Sequence, residues 1–131
     1  MELHLRATKG RFAAAAARRA LDPLEPYVMP ETLAYLRLVV TELVTNSVRH
    51  SGMQEDDLFD IRVELEDSRV RVKVSDPGQG FDPERERERI RDQGGFGLVL
   101  VDRLTDRWGV ERNGSANVWA EVDIEPVAGT A

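Results

Sequence analysis

The sequence predicts an α+β fold, a two-layer α/β sandwich in which a mostly antiparallel sheet carries helices on one face. Three observations lead there. Residues 59–65 and 70–74 alternate apolar and polar side chains with period two, the pattern of half-buried strands. Residues 30–50 instead repeat apolar side chains with helical period. Each strand has only one apolar face, so helices should cover one side of the sheet and water the other. At 131 residues the chain is the size of one compact domain.

The elements follow in order. Leu3, Leu5 and Ala7 alternate with polar neighbours and predict a first strand. The run Ala13 to Ala17, flanked by Arg11, Arg18 and Arg19, predicts a short helix, because alanine is the best helix former; Asp22-Pro23 ends it. A second helix starts at Pro30-Glu31, where proline suits the first turn, and runs to about His50, with Gly52 as its stop. Leu33, Leu36, Val40, Leu43, Val44 and Ser47 fall on its packing side; Tyr35, Glu42, Thr45, Asn46 and Arg49 fall on a polar side. Phe59, Ile61, Val63 and Leu65 then pair through the turn Glu66-Asp67-Ser68 with Val70, Val72 and Val74 as an antiparallel hairpin. A second hairpin turns at Asn113-Gly114, with Trp108 and Val110 on one arm and Val118, Ala120, Val122 and Ile124 on the other.

Composition narrows the function. No apolar run approaches the roughly 20 residues of a spanning helix, and the first residues lack a basic segment followed by an apolar one, so the expected location is cytoplasmic. Cysteine is absent, which removes disulfides, thiolate catalysis and Cys-based zinc sites. A net charge of −6 argues against direct nucleic-acid binding or an anionic membrane surface as the main activity. Two histidines are too few for most metal sites.

Three stretches carry chemistry. Glu42, Asn46 and His50 stand at i,i+4 spacing, so a carboxylate and a carboxamide share one helical flank and can address one ligand. Ser75-Asp-Pro-Gly-Gln-Gly-Phe81 directly follows a strand, and Asp76 has the parity of the inward valines; a carboxylate there needs a partner such as an exocyclic amino group. Gly78 and Gly80 allow a tight turn and the close approach of a ring. Gly94-Gly-Phe-Gly97 opens a helix through Leu98, Val99, Leu100, Val101 and Leu104, and free N–H groups at such a start suit a phosphate. Between the last two lies Phe81 to Gln93, rich in arginine and glutamate with Ile90 as its one later apolar residue, which reads as a mobile nucleotide lid. Taken singly, each has an ordinary explanation: a solvated helix face, an Asp-Pro-Gly turn, a flexible hinge, a solvated charge run.

Together and in this order, the three stretches resemble the N, G1 and G2 boxes of the GHKL ATPase superfamily, whose Bergerat fold is the sandwich expected above. Glu-Leu-Val-Thr-Asn-Ser-Val-Arg-His50, then Asp76-Pro-Gly-Gln-Gly-Phe, then Gly94-Gly-Phe-Gly-Leu-Val-Leu-Val-Asp-Arg-Leu-Thr-Asp-Arg-Trp-Gly109 are most similar to the small anti-sigma-factor serine/threonine kinases. The similarity covers about residues 2 to 124. It implies a histidine-kinase-like ATP-binding domain over 1–126, with 127–131 as a flexible tail.

By that resemblance ATP and Mg²⁺ are the cofactors. Asn46 ligates the metal, Asp76 accepts a hydrogen bond from the adenine amino group, and Gly78 and Gly80 shape the adenine pocket. Gly94, Gly95, Gly97 and Leu98 belong to the phosphate-binding stretch, Glu42 is the general base, and one of Arg85, Arg87, Arg89 and Arg91 is a candidate for the γ-phosphate. The implied partners are an anti-anti-sigma-type protein substrate, a sigma factor and a second copy of the chain. Two departures stand out: Ala116 occupies the position where many relatives carry an adenine-supporting threonine, and proline stands at 77 in place of asparagine. Trp119 has the parity of the open face, where it is either a partner surface or a single exposed aromatic. The alternative function is an ATP-dependent partner-binding module, an anti-sigma factor without phosphotransfer; an excised histidine-kinase ATPase domain ranks behind both.

Overall fold

The computed structural model describes residues 1–8, 10, 12–50, 58–76, 96–112 and 116–125; for 47–50, 76, 96–98, 112 and 116 it describes the backbone alone. In chain order come β1 (Glu2–Thr8), α1 (Ala13–Arg19), a 3-10 turn (Asp22–Leu24), α2 (Pro30–His50), β2 (Leu58–Leu65), β3 (Arg69–Asp76), α3 (Phe96–Leu104), β4 (Arg107–Arg112) and β5 (Ala116–Asp123). The strands form one five-stranded sheet in the order β1-β2-β3-β5-β4. Every neighbouring pair is antiparallel. The expected α+β sandwich is what forms, and both expected hairpins are present.

Register follows from the alternation, because a slip of one residue would turn every valine to water. Ile61 pairs with Val74, Val63 with Val72 and Leu65 with Val70. Across the next ladder Val70 faces Val122, Val72 faces Ala120 and Val74 faces Val118. These side chains meet Leu33, Leu36, Val39, Val40, Leu43 and Val44 of α2 in the core. Burying such a side chain stabilises the fold by about 1.5–3 kcal/mol relative to leaving it exposed, so this layer dominates the packing. Helix α2 also packs on α1 and α3. The latter inserts Val101 into the core, and its neighbour Asp102 accepts a 2.9 Å hydrogen bond from the Trp108 indole of β4.

The outward face of the sheet is charged but internally paired. Asp60 accepts from both His4 and Arg6 at 3.0 Å, and Arg62 pairs with Glu2 at 3.2 Å. Glu121 is buried among three guanidiniums, with Arg107 at 2.8 Å, Arg71 at 3.5 Å and Arg69 at 3.7 Å. Hydrogen bonds to Asp123 and Glu121 push the Arg107 pKa further upward. Trp119 is half-buried: its ring covers Gly109 of the adjacent strand, and the Arg71 guanidinium stands 4.8 Å from its centroid. Of the two readings open for this residue, neither describes it fully, since its ring is engaged within the chain.

Candidate nucleotide site

Helix α2 supplies the two polar groups whose surroundings are visible. Glu42 and Asn46 lie one turn apart, about 6 Å along the axis, and their environments differ. Asn46 is 5% exposed, whereas Glu42 is half-buried. The expectation that Asn46 sits on a polar face is therefore corrected. The packing arc of α2 is wider than the leucines and valines named from the sequence: Val39 belongs to it, and Asn46 lies at its edge beside Val39.

That burial has a chemical consequence. The Asn46 amide nitrogen is enclosed and has no hydrogen-bond partner among the described residues. A buried polar group without a partner costs roughly 1–3 kcal/mol, so an orphan at this position fits a side chain that binds a ligand. Because amide oxygen and nitrogen are interchangeable by a flip, the group can present either a donor or an acceptor. An acceptor oxygen fits Mg²⁺, which binds through oxygen and commonly uses only one or two protein groups beside substrate phosphates. Glu42 makes no ion pair or hydrogen bond among the described residues.

The other expected site residues are placed less completely. Asp76 is the last residue of β3 and stands in register with Ala116, the first residue of β5. The position without the supporting threonine is thus directly across the ladder from the expected adenine acceptor. Gly97 and Leu98 lie in the first turn of α3, which begins at Phe96. That turn carries no acidic residue, so nothing on it offsets the positive end of the helix dipole. Gly78, Gly80, Gly94 and Gly95, the lid at 81–93 with its four arginines, and the turn Asn113-Gly114 lie outside the described residues. So does the tail at 127–131.

Two features were missed from sequence. Arg18 of α1 donates to the Thr41 hydroxyl at 3.2 Å, and that hydroxyl donates to the Arg37 carbonyl at 2.7 Å, tying α1 to the turn of α2 that precedes Glu42. The burial of Asn46 was readable in principle, since it lies seven residues from Val39 and three from Leu43.

An antiparallel sheet with helices on one face, an amide-bearing helix against it and a short helix whose first turn carries no acidic residue define the class of ATPase domain seen in histidine kinases. A sequence model described as the histidine kinase-like ATPase domain matches residues 4–120, and the chain belongs to that family. Among its relatives is the serine-protein kinase RsbW of Listeria monocytogenes serotype 4a, 35% identical over 58% of this chain and 56% of its own length. The serine-protein kinase RsbW of Staphylococcus epidermidis is 29% identical, over 53% of this chain and 52% of its own length. The chain thus spans little more than half the length of these relatives. The mycobacterial sensor histidine kinase MprB covers 95% of the chain with a TM-score of 0.58 and 12% identity. Full-length ShkA in complex with AMPPNP covers 89% with a TM-score of 0.59 and 20% identity. At such identities these two establish the fold. Among the described residues no helix is long and apolar enough to cross a membrane.

Proposed function

We propose that this chain is an ATP-binding regulatory protein serine/threonine kinase that phosphorylates an anti-anti-sigma-type partner and holds a sigma factor as its second partner. The observation that carries the reading is the pairing on α2 of an orphaned, buried Asn46 amide with an unpaired, half-buried Glu42 carboxylate one turn away. Membership of the ATPase family and relatives named serine-protein kinase support it.

In this reading the chain does two things. Asn46 would hold Mg²⁺, which when bound would supply neutralisation of the phosphate charge. Glu42 accepts the proton of the attacking hydroxyl as its oxygen bonds to the γ-phosphorus and the bond to the bridging oxygen breaks, releasing ADP. Phosphoryl transfer asks for positioning and charge stabilisation more than covalent help, and a well-placed base contributes about 10²–10⁴-fold. By the family resemblance, Asp76 is the proposed acceptor for the adenine amino group, Gly78 and Gly80 are adenine-pocket residues, and Gly94, Gly95 and Gly97 are phosphate-binding residues.

The test is transfer from radiolabelled ATP with Mg²⁺ to a purified anti-anti-sigma-type protein. Wild type should label it; Glu42→Ala should lose about 10²–10⁴-fold in rate while keeping its nucleotide affinity. A wild-type protein that binds both nucleotide and partner without ever labelling the partner would leave a binding module.

A further inference from the structure

The described arginines are not treated alike. On the sheet face Arg6, Arg62, Arg69, Arg71 and Arg107 each face a carboxylate. Arg18 and Arg19, in the last turn of α1, form no ion pair among the described residues. With Arg37 they line an open depression between α1 and α2 of about 280 Å³. Its one carboxylate, Asp22, is already engaged by Arg37 at 2.8 Å. In a chain of net charge −6 this is a local surplus of positive charge.

The pocket's position gives that surplus a direction. At about 100° per residue, a path around α2 starts at Arg37 and Thr41, which touch Asp22 and Arg18. It next crosses Ala34 and Leu38, both exposed, with Leu38 at 47%. It then reaches Glu42 and ends at the buried Asn46. An exposed leucine therefore lies between an unneutralised arginine pocket and the carboxylate that would take the acceptor's proton. This strip is one exposed approach to Glu42 from solvent.

We propose that the strip is the docking track of the phosphoacceptor protein, which sets an acidic side chain against Arg18 and Arg19 and an apolar one on Leu38. Guanidiniums are suited to such carboxylates through paired hydrogen bonds, and the complementary charge would speed encounter as well as fix register. The inference names the substrate chemistry of the kinase reading and rests on it, yet the two fail separately.

The probe is a synthetic peptide with one serine preceded by a leucine and a run of glutamates, titrated into the ¹⁵N-labelled full chain. A second peptide carries lysines for the glutamates. The expected result is saturable amide shifts at Arg18, Arg19, Leu38 and Thr41 with the acidic peptide only. Affinity should fall about tenfold or more in R18E/R19E, and in Leu38→Asp. The neutral pair R18Q/R19Q, with a dispersed spectrum as its folding control, should lie between. Absence of saturable shifts at low-millimolar acidic peptide, equal shifts with the lysine peptide, or an unchanged affinity in R18E/R19E would overturn the docking track. Adding radiolabelled ATP separates the two ideas: selective binding without labelling upholds the track and counts against the kinase, while labelling indifferent to R18E/R19E does the reverse.

Discussion

Replacing Asn46 with alanine should make the nucleotide-free protein more stable and the nucleotide-saturated protein less so. In the free chain the enclosed amide donor has no partner among the described residues, and removing an unsatisfied group returns some of its roughly 1–3 kcal/mol desolvation cost. Alanine adds about 0.5 kcal/mol of helix propensity over asparagine. Against this stands the packing lost when a small side chain leaves a site 5% exposed, on the order of 1 kcal/mol. The balance is a gain of about 1 kcal/mol, or about 4 °C in midpoint for a chain of 131 residues. Wild type should overtake the variant when ligand is added: at a hundredfold excess over Kd, binding stabilises by about 2.7 kcal/mol, roughly 10 °C here. Differential scanning calorimetry with and without Mg²⁺-ATP reads both effects. A variant that melts below wild type without nucleotide would mean that the amide is structurally satisfied. One that keeps the full ligand-induced shift would remove Asn46 from the site.

Glu121→Gln should destabilise the fold, because it removes the buried negative charge that three guanidiniums share. Those arginines retain access to water, so the loss should be about 1–2 kcal/mol, short of the 3–5 expected for a fully buried pair; urea denaturation measures it, and an unchanged midpoint contradicts the account. Gly109→Ala puts a methyl carbon 2.9 Å from the Trp119 ring, which also carries the Arg71 guanidinium 4.8 Å from its centroid; a cost of about 1–3 kcal/mol and a shifted tryptophan emission are expected. Asp60 gives a pH signature. Burial alone would raise its pKa, but hydrogen bonds from Arg6 and His4 outweigh that and hold it below the usual carboxylate value. A depressed folded pKa means that its stabilisation is present above the unfolded pKa and disappears as pH falls through the folded one. Asp60→Asn should therefore be less stable than wild type at neutral pH and converge with it in strong acid, as thermal melts across pH would report.

The strands were legible because one-faced burial imprints period two, and the packed face of each β-strand core position followed directly. Helix α2 was legible in extent but not in the width of its buried arc: polarity alone placed Asn46 with Glu42, while geometry sets it beside Val39. The paired charges of the open face were illegible for a different reason. Parity says which side Arg69, Arg71 and Glu121 share, but not that β3 and β5 are neighbours, and only that adjacency assembles the cluster. The family was legible through the order of three motifs, whereas the arginine pocket depends on a helix-to-helix contact that no local pattern encodes.

One α-helix here serves two masters. Its inner arc is locked into the valine layer, and its outer arc bears Glu42, so the rod can neither roll nor slide to adjust one without disturbing the other. Conservative trimming of Val39 or Leu43, buried in the arc beside Asn46, should thus surface as slowed turnover alongside a lowered melting point, and tolerance to mutation should be narrowest along this single segment.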